Sequence, residues 1–340
     1  MKLGVIGATG LVGGMILRVL DERNVPVEEL FAYASRDRTE GLPFRGKLVP
    51  IVAATRERVI ADRPDVVFFA SSDDASAELA QAFAAEGILV IDNSATFRMD
   101  ERCPLVIPEV NAQSVVPGQR IFPVANCTAI VLCVALAPVV PIAGLRAVRV
   151  ATYQAVSGAG RAGVETLEHE ESDALEGRES KLSGTFAAPI MRNVVPQIGS
   201  FDERGDTGEE KKVVAETRKM LGLPNLYVAA TTVRVPVYYA HSEAVFFETE
   251  RDTSVAELAR AFSQAPGVVF HPSGIVTPRD VEGTDLVHVA RLRPESESKR
   301  HYQMWIVGDQ VRKGAATNGV QILELLIEKG MVGRTAAHAS

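Results

Sequence analysis

Cys127 stands where a strand-like run, Phe122 to Ala125, gives way to an apolar stretch carrying Ile130, Val131 and Val134 at helical spacing. A thiol at a helix N-terminus faces unpaired backbone N–H groups and the positive end of the helix dipole, which favours the nucleophilic thiolate. Asn126, just before it, has the side chain to cap that helix or to donate to an oxyanion. A buried structural thiol is the competing reading. Cys133 falls within the apolar helix and reads as core, and Cys103 precedes Pro104 in a loop. A thiol nucleophile needs a base or a cationic neighbour. Of the six histidines, His241, His271, His288 and His301 fall in strands or turns and are candidates, whereas His169 reads as a solvated helix face and His338 as tail. The cysteines show neither a CxxC pair nor a Cys/His ligand spacing, so no metal site is expected.

A second kind of chemistry lies at the N-terminus. Gly7-Ala8-Thr9-Gly10-Leu11-Val12-Gly13 follows a strand and opens a helix. Glycines there let the backbone approach a pyrophosphate, whose charge is met by free helix N–H groups. A tight βα turn without a ligand is the bland alternative. After the second strand comes Ser35-Arg36-Asp37-Arg38, where two arginines and a serine suit a ribose 2′-phosphate and make NADP the preferred cofactor. Asp37 keeps an ordinary solvated charge run open. Ser71-Ser72 ends another strand and is placed to line the same crevice.

These residues need a scaffold. With 340 residues and 46% hydrophobic content the chain can build two cores. In the first third, strands (Leu3 to Ile6, Leu30 to Ala34, Val66 to Ala70, Leu89 to Asp92, Phe122 to Ala125) alternate with helices (Leu11 to Glu22, Ala75 to Glu86, the latter closed by Gly87). That is the pattern of a Rossmann-like, doubly wound α/β sheet. Beyond it, long strands with few helices (Ala147 to Val156, Leu226 to Val235, Ala244 to Glu250, Leu286 to Arg293, His301 to Gly308) predict an α+β domain. Residues 200–210 read as a surface loop leading into a helix to Leu221, and Ala316 to Glu328 as a helix that returns to the first domain. The expected division is 1–125 for cofactor binding with 315–340 packing back on it, and 126–314 for catalysis and dimerisation. The net charge of −7 gives no general attraction to nucleic acid or an anionic membrane. The apolar run 130–145 carries Pro138 and Pro141 and is shorter than the ~20 residues of a membrane span. With no targeting signal and no disulfide framework, a reducing cytoplasm fits.

Read together, several segments resemble aspartate-β-semialdehyde dehydrogenase over nearly the whole chain. They are the glycine turn at 7–13, Asp92-Asn93-Ser94-Ala95-Thr96-Phe97-Arg98-Met99-Asp100, Pro108-Glu109-Val110-Asn111, Ala125-Asn126-Cys127-Thr128 and Tyr153-Gln154-Ala155-Val156-Ser157-Gly158-Ala159-Gly160. Arg234-Val235-Pro236 through His241-Ser242 and Arg312-Lys313-Gly314-Ala315-Ala316-Thr317-Asn318 complete the series.

The resemblance implies NADPH-dependent reductive dephosphorylation of L-4-aspartyl phosphate to aspartate semialdehyde and phosphate, in lysine (through diaminopimelate), threonine and methionine biosynthesis. It implies Cys127 as nucleophile through a thioester, His241 as acid/base and Gln154 as orienting residue, with Asn126 and the Cys127 N–H as oxyanion donors. Substrate binding falls to Arg98 and Lys212 for the phosphate, Arg234 for the carboxylate and Glu209 for the amine. The family often has Glu-Glu-Trp-Lys where this chain has Glu209-Glu210-Lys211-Lys212, so Glu209 against Glu210 and Lys211 against Lys212 stay open. Gly7, Thr9, Gly10, Leu11 and Val12 are implied at the pyrophosphate, Ser35, Arg36 and Arg38 at the adenosine phosphate, Ser71 and Ser72 at the ribose, and Gly158 and Asn318 near the cofactor. A homodimer or dimer of dimers is expected. N-acetyl-γ-glutamyl-phosphate reductase is the nearest rival, but Val124-Ala125-Asn126-Cys127-Thr128 lacks its Pro-Gly turn; a non-catalytic NADP-binding relative is the other alternative.

Overall fold

The computed structural model describes residues 1–179 and 182–332, and the backbone separates into two compact units, 1–125 with the chain from 315 onward, and 126–314. Part of the 315–340 segment, residues 333–340 including His338, lies outside the described residues.

In the first unit β1 (Lys2–Ile6), β2 (Glu29–Ala34), β3 (Gly41–Phe44), β4 (Lys47–Ala53), β5 (Val66–Phe69), β6 (Leu89–Asp92) and β7 (Ile121–Pro123) form one sheet in the order β3-β4-β2-β1-β5-β6-β7. All neighbours pair in parallel except β3 with β4. Strands β5 and β6 are buried along their whole length, as apolar runs covered on both faces must be. Helices α1 (Leu11–Glu22), α2 (Arg56–Asp62), α3 (Asp73–Ala85) and the short α4 (Pro108–Asn111) connect them.

The doubly wound sheet holds as expected, with one addition. The β3–β4 hairpin has a proline in each strand, Pro43 and Pro50, which hides it from a propensity reading. It closes through Arg45 and Gly46, both at positive φ (48° and 74°), the two-residue turn that matches strand twist. Arg45 then pins the hairpin to α1 through Asp21 and the carbonyls of Leu20 and Val25.

In the second unit β8 (Ala147–Gln154), β9 (Tyr227–Arg234), β10 (His241–Glu248), β11 (Val268–His271), β12 (Val287–Pro294) and β13 (His301–Gly308) form a mixed sheet, order β11-β12-β13-β10-β8-β9. Its helices are α5 (Cys127–Leu136), α6 (Val139–Ala143), α7 (Gly160–Leu175), α8 (Gly208–Leu221), α9 (Val255–Gln264) and α10 (Pro278–Val281). The expectation of few helices is corrected here by α7 and α9. In α7 Thr166, Leu167 and Glu170 turn inward while His169 stays exposed, so its stripe is narrow and partly polar. Residues 208–210, expected in the loop, already belong to α8. The cause is a capping box in which Thr207 accepts from the Glu210 N–H and Glu210 accepts from the Thr207 N–H. From Thr128 to Leu136 every residue of α5 is buried, so its lack of amphipathicity follows from an all-protein environment.

Helix α11 (Thr317–Glu328) belongs to the first unit, where Gly319 packs against Phe68, Ile91 and Val124. Among the described residues no helix is long and apolar enough to cross a membrane, and no group of three or more His, Cys, Asp or Glu could hold a metal.

Candidate active site

Cys127 is the first residue of α5, and Asn126 caps it: the Asn126 Oδ1 accepts from the Ala129 N–H at 3.1 Å. Asn126 is itself gripped by α8. Its backbone N–H donates to Glu216 Oε2 at 2.5 Å and its Nδ2 donates to Glu209 Oε1 at 2.9 Å. The turn that presents the sulfur is thus tied at three points. Gly314 closes one side, since a side chain there would begin 2.9 Å from the Cys127 Cβ.

Of the four candidate histidines, His241 is the one that reaches the sulfur, with Nε2 3.6 Å from Cys127 Sγ. Its Nδ1 accepts the Ala155 N–H at 3.1 Å, which puts the ring proton on Nε2, facing the thiol. Burial, and secondarily Arg234, hold His241 well below the usual histidine range, so the ring is neutral. The others are engaged elsewhere: His271 bonds His288 at 3.0 Å, and His301 lies 3.6 Å from Glu248. Cys133 is fully buried and its thiol is pushed up by burial, while Cys103 is buried in the first unit.

Gln154, at the end of β8, donates from Nε2 to Thr128 Oγ1 at 2.8 Å and to Glu209 Oε1 at 3.4 Å. Arg234, at the end of the adjacent β9, is buried; it donates from Nη1 to the Ala155 carbonyl at 2.8 Å and lies over the Phe186 ring. Burial depresses its ionisation, opposed by the charges of Cys127 and Glu209. Gly158 is packed against both functional groups: a Cβ there would lie 2.4 Å from Arg234 Nη1 and 3.2 Å from His241 Cε1.

On α8 the neighbouring candidates differ in their partners. Both Glu210 oxygens are taken by the N–H groups of Thr207 and Thr232, and Lys211 pairs with Asp202 at 3.2 Å. Glu209 faces Asn126 and Gln154, and Lys212 is exposed.

In the first unit a cavity of ≈ 680 Å³ opens at the carboxyl ends of β1, β2, β4 and β5. Of the residues expected from this unit's glycine turn, arginines and serines, Gly7, Thr9, Gly10, Ser35, Arg38, Ser71 and Ser72 line it; Leu11, Val12 and Arg36 do not. Gly7 has φ +80°, and a side chain on it would strike the Ala70 carbonyl at 2.2 Å. Helix α1 follows Gly10, an N-cap without a side chain to bond its N–H groups, and has no acidic residue in its first turn, leaving the N–H groups of Leu11 and Val12 for an anion. The buried Ser71 Oγ has no partner among the described residues. The cavity therefore fits a dinucleotide.

Asp37 does not line the cavity: its carboxylate accepts the Ala53 N–H at 2.7 Å. Thr55 and Arg56, which the sequence reading missed, do line it. They follow β4, the strand that Pro50 concealed. Asn318 is buried within the unit, its amide donating to the Val106 carbonyl at 2.9 Å, away from the cavity lining. Arg98 is also in this unit. It is nearly buried, with Nη2 on the Asn93 carbonyl at 2.8 Å. Buried Asp92, whose carboxyl is pushed up by burial, braces that segment through Ser76 and Ser94.

Residues 2–116 match the family described as semialdehyde dehydrogenase, NAD binding domain, and residues 136–313 its dimerisation domain. An aspartate-semialdehyde dehydrogenase from Aquifex aeolicus is 42% identical over 339 residues, 97% of this chain and 99% of that protein. One from Vibrio cholerae is 39% identical over 330 residues, covering 96% and 97%. The crystal structure of aspartate semialdehyde dehydrogenase II from Vibrio cholerae, complexed with ASA, superposes with a TM-score of 0.92 at 38% identity, covering 96% of this chain and 98% of that one.

Proposed function

The chain belongs to the aspartate-semialdehyde dehydrogenase family, nicotinamide-dependent oxidoreductases of amino-acid biosynthesis, and from that membership we propose that it reduces L-4-aspartyl phosphate to L-aspartate 4-semialdehyde with NADPH, on the route to lysine, threonine and methionine. The observation that carries this reading is the Cys127–His241 pair, 3.6 Å apart at a capped helix N-terminus, with Arg234 and Glu209 beside it.

The Cys127 thiolate attacks the acyl carbon; a C–S bond forms, the bond between that carbon and the phosphate oxygen breaks, and phosphate departs with the electron pair and takes up a proton. NADPH, when bound, would supply the hydride, two electrons, that reduces the thioester carbon. The resulting oxyanion re-forms the carbonyl and expels the thiolate. The Cys127 N–H and the Asn126 amide hydrogen not used on Glu209 stabilise that oxyanion, and His241, with its proton on Nε2, handles the proton of the thiohemiacetal oxygen. Gln154, pinned on Thr128, orients the intermediate.

Arg234 binds the α-carboxylate with its planar fork, Glu209 the ammonium group, and Arg98 and Lys212 the phosphate. The glycine turn, through Gly7, Thr9, Gly10, Leu11 and Val12, holds the pyrophosphate. Ser35 and Arg38 take the 2′-phosphate, and Ser71 and Ser72 face the ribose. NADP over NAD is supported by Asp37 being turned into the backbone, because an acidic side chain free at that position would repel the 2′-phosphate. A homodimer forms across the sheet face that carries Tyr153, Phe246 and Trp305, where Tyr153 is 40% exposed and its ring meets Trp305 at 5.4 Å.

The test follows NADP reduction by absorbance with aspartate semialdehyde, with and without inorganic phosphate. Phosphate-dependent turnover that disappears in Cys127→Ala is expected. Preference for N-acetylglutamate semialdehyde, or full activity in Cys127→Ala, would overturn the reading.

A further inference from the structure

Arg234 is buried, yet among the described residues no carboxylate bonds its guanidinium, so its orientation has to come from elsewhere. One side is set by the Ala155 carbonyl and Gly158, and another by the Phe186 ring, 5.8 Å from guanidinium carbon to centroid. Phe186 belongs to 182–199, a stretch with no helix or strand that stays against the unit by a few specific fastenings. The foremost is Glu170 of α7. This carboxylate is only 4% exposed and accepts the N–H groups of both Ile190 and Met191 on one oxygen, at 2.8 and 2.7 Å.

An apolar cluster of Val156, Leu167, Phe186, Ile190 and Val195 packs beneath the stretch. Further along, Val195 exchanges two backbone hydrogen bonds with Arg234 itself, at 2.9 and 2.8 Å, and the Ile198 carbonyl accepts the Glu209 N–H at 3.3 Å. The same strap therefore meets the guanidinium of Arg234 through Phe186 and the backbone of both Arg234 and Glu209. Burying a carboxylate is costly unless it is well bonded, and here its bonds go to the backbone of the strap.

We infer that Glu170 and Phe186 are positioning residues for substrate binding: the Glu170 carboxylate fastens the 182–199 strap so that Phe186, lying over the Arg234 guanidinium, holds it in its binding orientation. This rests on the reading that Arg234 takes the substrate carboxylate. A preset fork loses little entropy on meeting a bidentate anion, whereas a wandering one loses more, so the strap acts on affinity rather than on the chemical step.

Phe186→Leu keeps apolar bulk and removes the ring face. It should raise KM for aspartate semialdehyde about tenfold with kcat within about threefold and KM for NADP unchanged, and Phe186→Tyr should restore the wild-type value. Glu170→Gln should raise the same KM and speed hydrogen exchange at the Ile190 and Met191 amides. In an Arg234→Leu background Phe186→Leu should add less than about twofold. An unchanged KM in Phe186→Leu, or a full rise that persists without Arg234, would overturn the inference. If Arg234→Leu alone leaves KM unaltered, it is the carboxylate assignment that fails. The strap is then judged by a crystal structure of Glu170→Gln: a displaced guanidinium supports it, and one still on the Ala155 carbonyl under Phe186 overturns it.

Discussion

Gly158→Ala is the sharpest single-atom test of the site. Gly158 has no positive φ, so alanine costs nothing in backbone conformation and the effect is one of contact alone. The added methyl would begin 2.4 Å from Arg234 Nη1 and 3.2 and 3.3 Å from His241 Cε1 and Nε2. Relief to an ordinary contact near ~3.5 Å requires the guanidinium to retreat by roughly 1 Å, enough to give up its bond to the Ala155 carbonyl. A hydrogen bond to a charged group contributes about 1.5–3 kcal/mol, and a tenfold change in affinity corresponds to about 1.4. Substrate KM should therefore rise about 10- to 100-fold. Crowding of the His241 ring should lower kcat as well, since a misplacement of ~1 Å can cost about 100-fold. Steady-state kinetics with aspartate semialdehyde and NADP varied separately read both effects. A variant that instead raises only KM for NADP would refute this account and return Gly158 to the nicotinamide.

Cys127→Ser should lower kcat by at least ~10³-fold while leaving NADP affinity within about twofold, measured by turnover and by cofactor fluorescence titration; retained turnover would remove the thioester. Arg38→Ala and Arg56→Ala should each weaken NADP binding about tenfold and leave NAD nearly unchanged, and equal losses for the two cofactors would refute a 2′-phosphate role. Glu243, fully buried on β10 with neither oxygen bonded among the described residues, has its carboxyl held by burial well above the ordinary 4.5. The protonated form is favoured by folding, so this stabilisation is complete below pH 4.5 and is lost as pH rises through the elevated folded value. Glu243→Gln carries no such loss, so its melting temperature relative to wild type should climb as the pH is raised above about 5; a pH-independent difference would show that Glu243 is not held neutral.

Local chemistry was legible from residue order. The strand–glycine–helix turn at 7–13, the capped thiol at 126–128 and the alternating strands depend on contacts within a few residues, and the Rossmann-like sheet follows from them. What hid the β3–β4 hairpin was Pro43, on the edge strand β3, together with Pro50 on β4, and with it went Thr55 and Arg56. Position in the chain left four histidines equal. Only the pairing of β10 with β8 and β13 carries His241 to a sulfur 114 residues away, and only the Ala155 N–H decides which of its nitrogens faces that sulfur. Glu209 and Glu210 were likewise told apart only in three dimensions, because a capping box and the edge of β9 consume the Glu210 carboxylate and leave that of Glu209 facing Asn126 and Gln154. A residue's type limits the chemistry it can do, and its neighbours in sequence limit the backbone it adopts. Which donor meets which acceptor is settled by packing between distant segments, since a buried polar group must find its partner wherever the fold puts one.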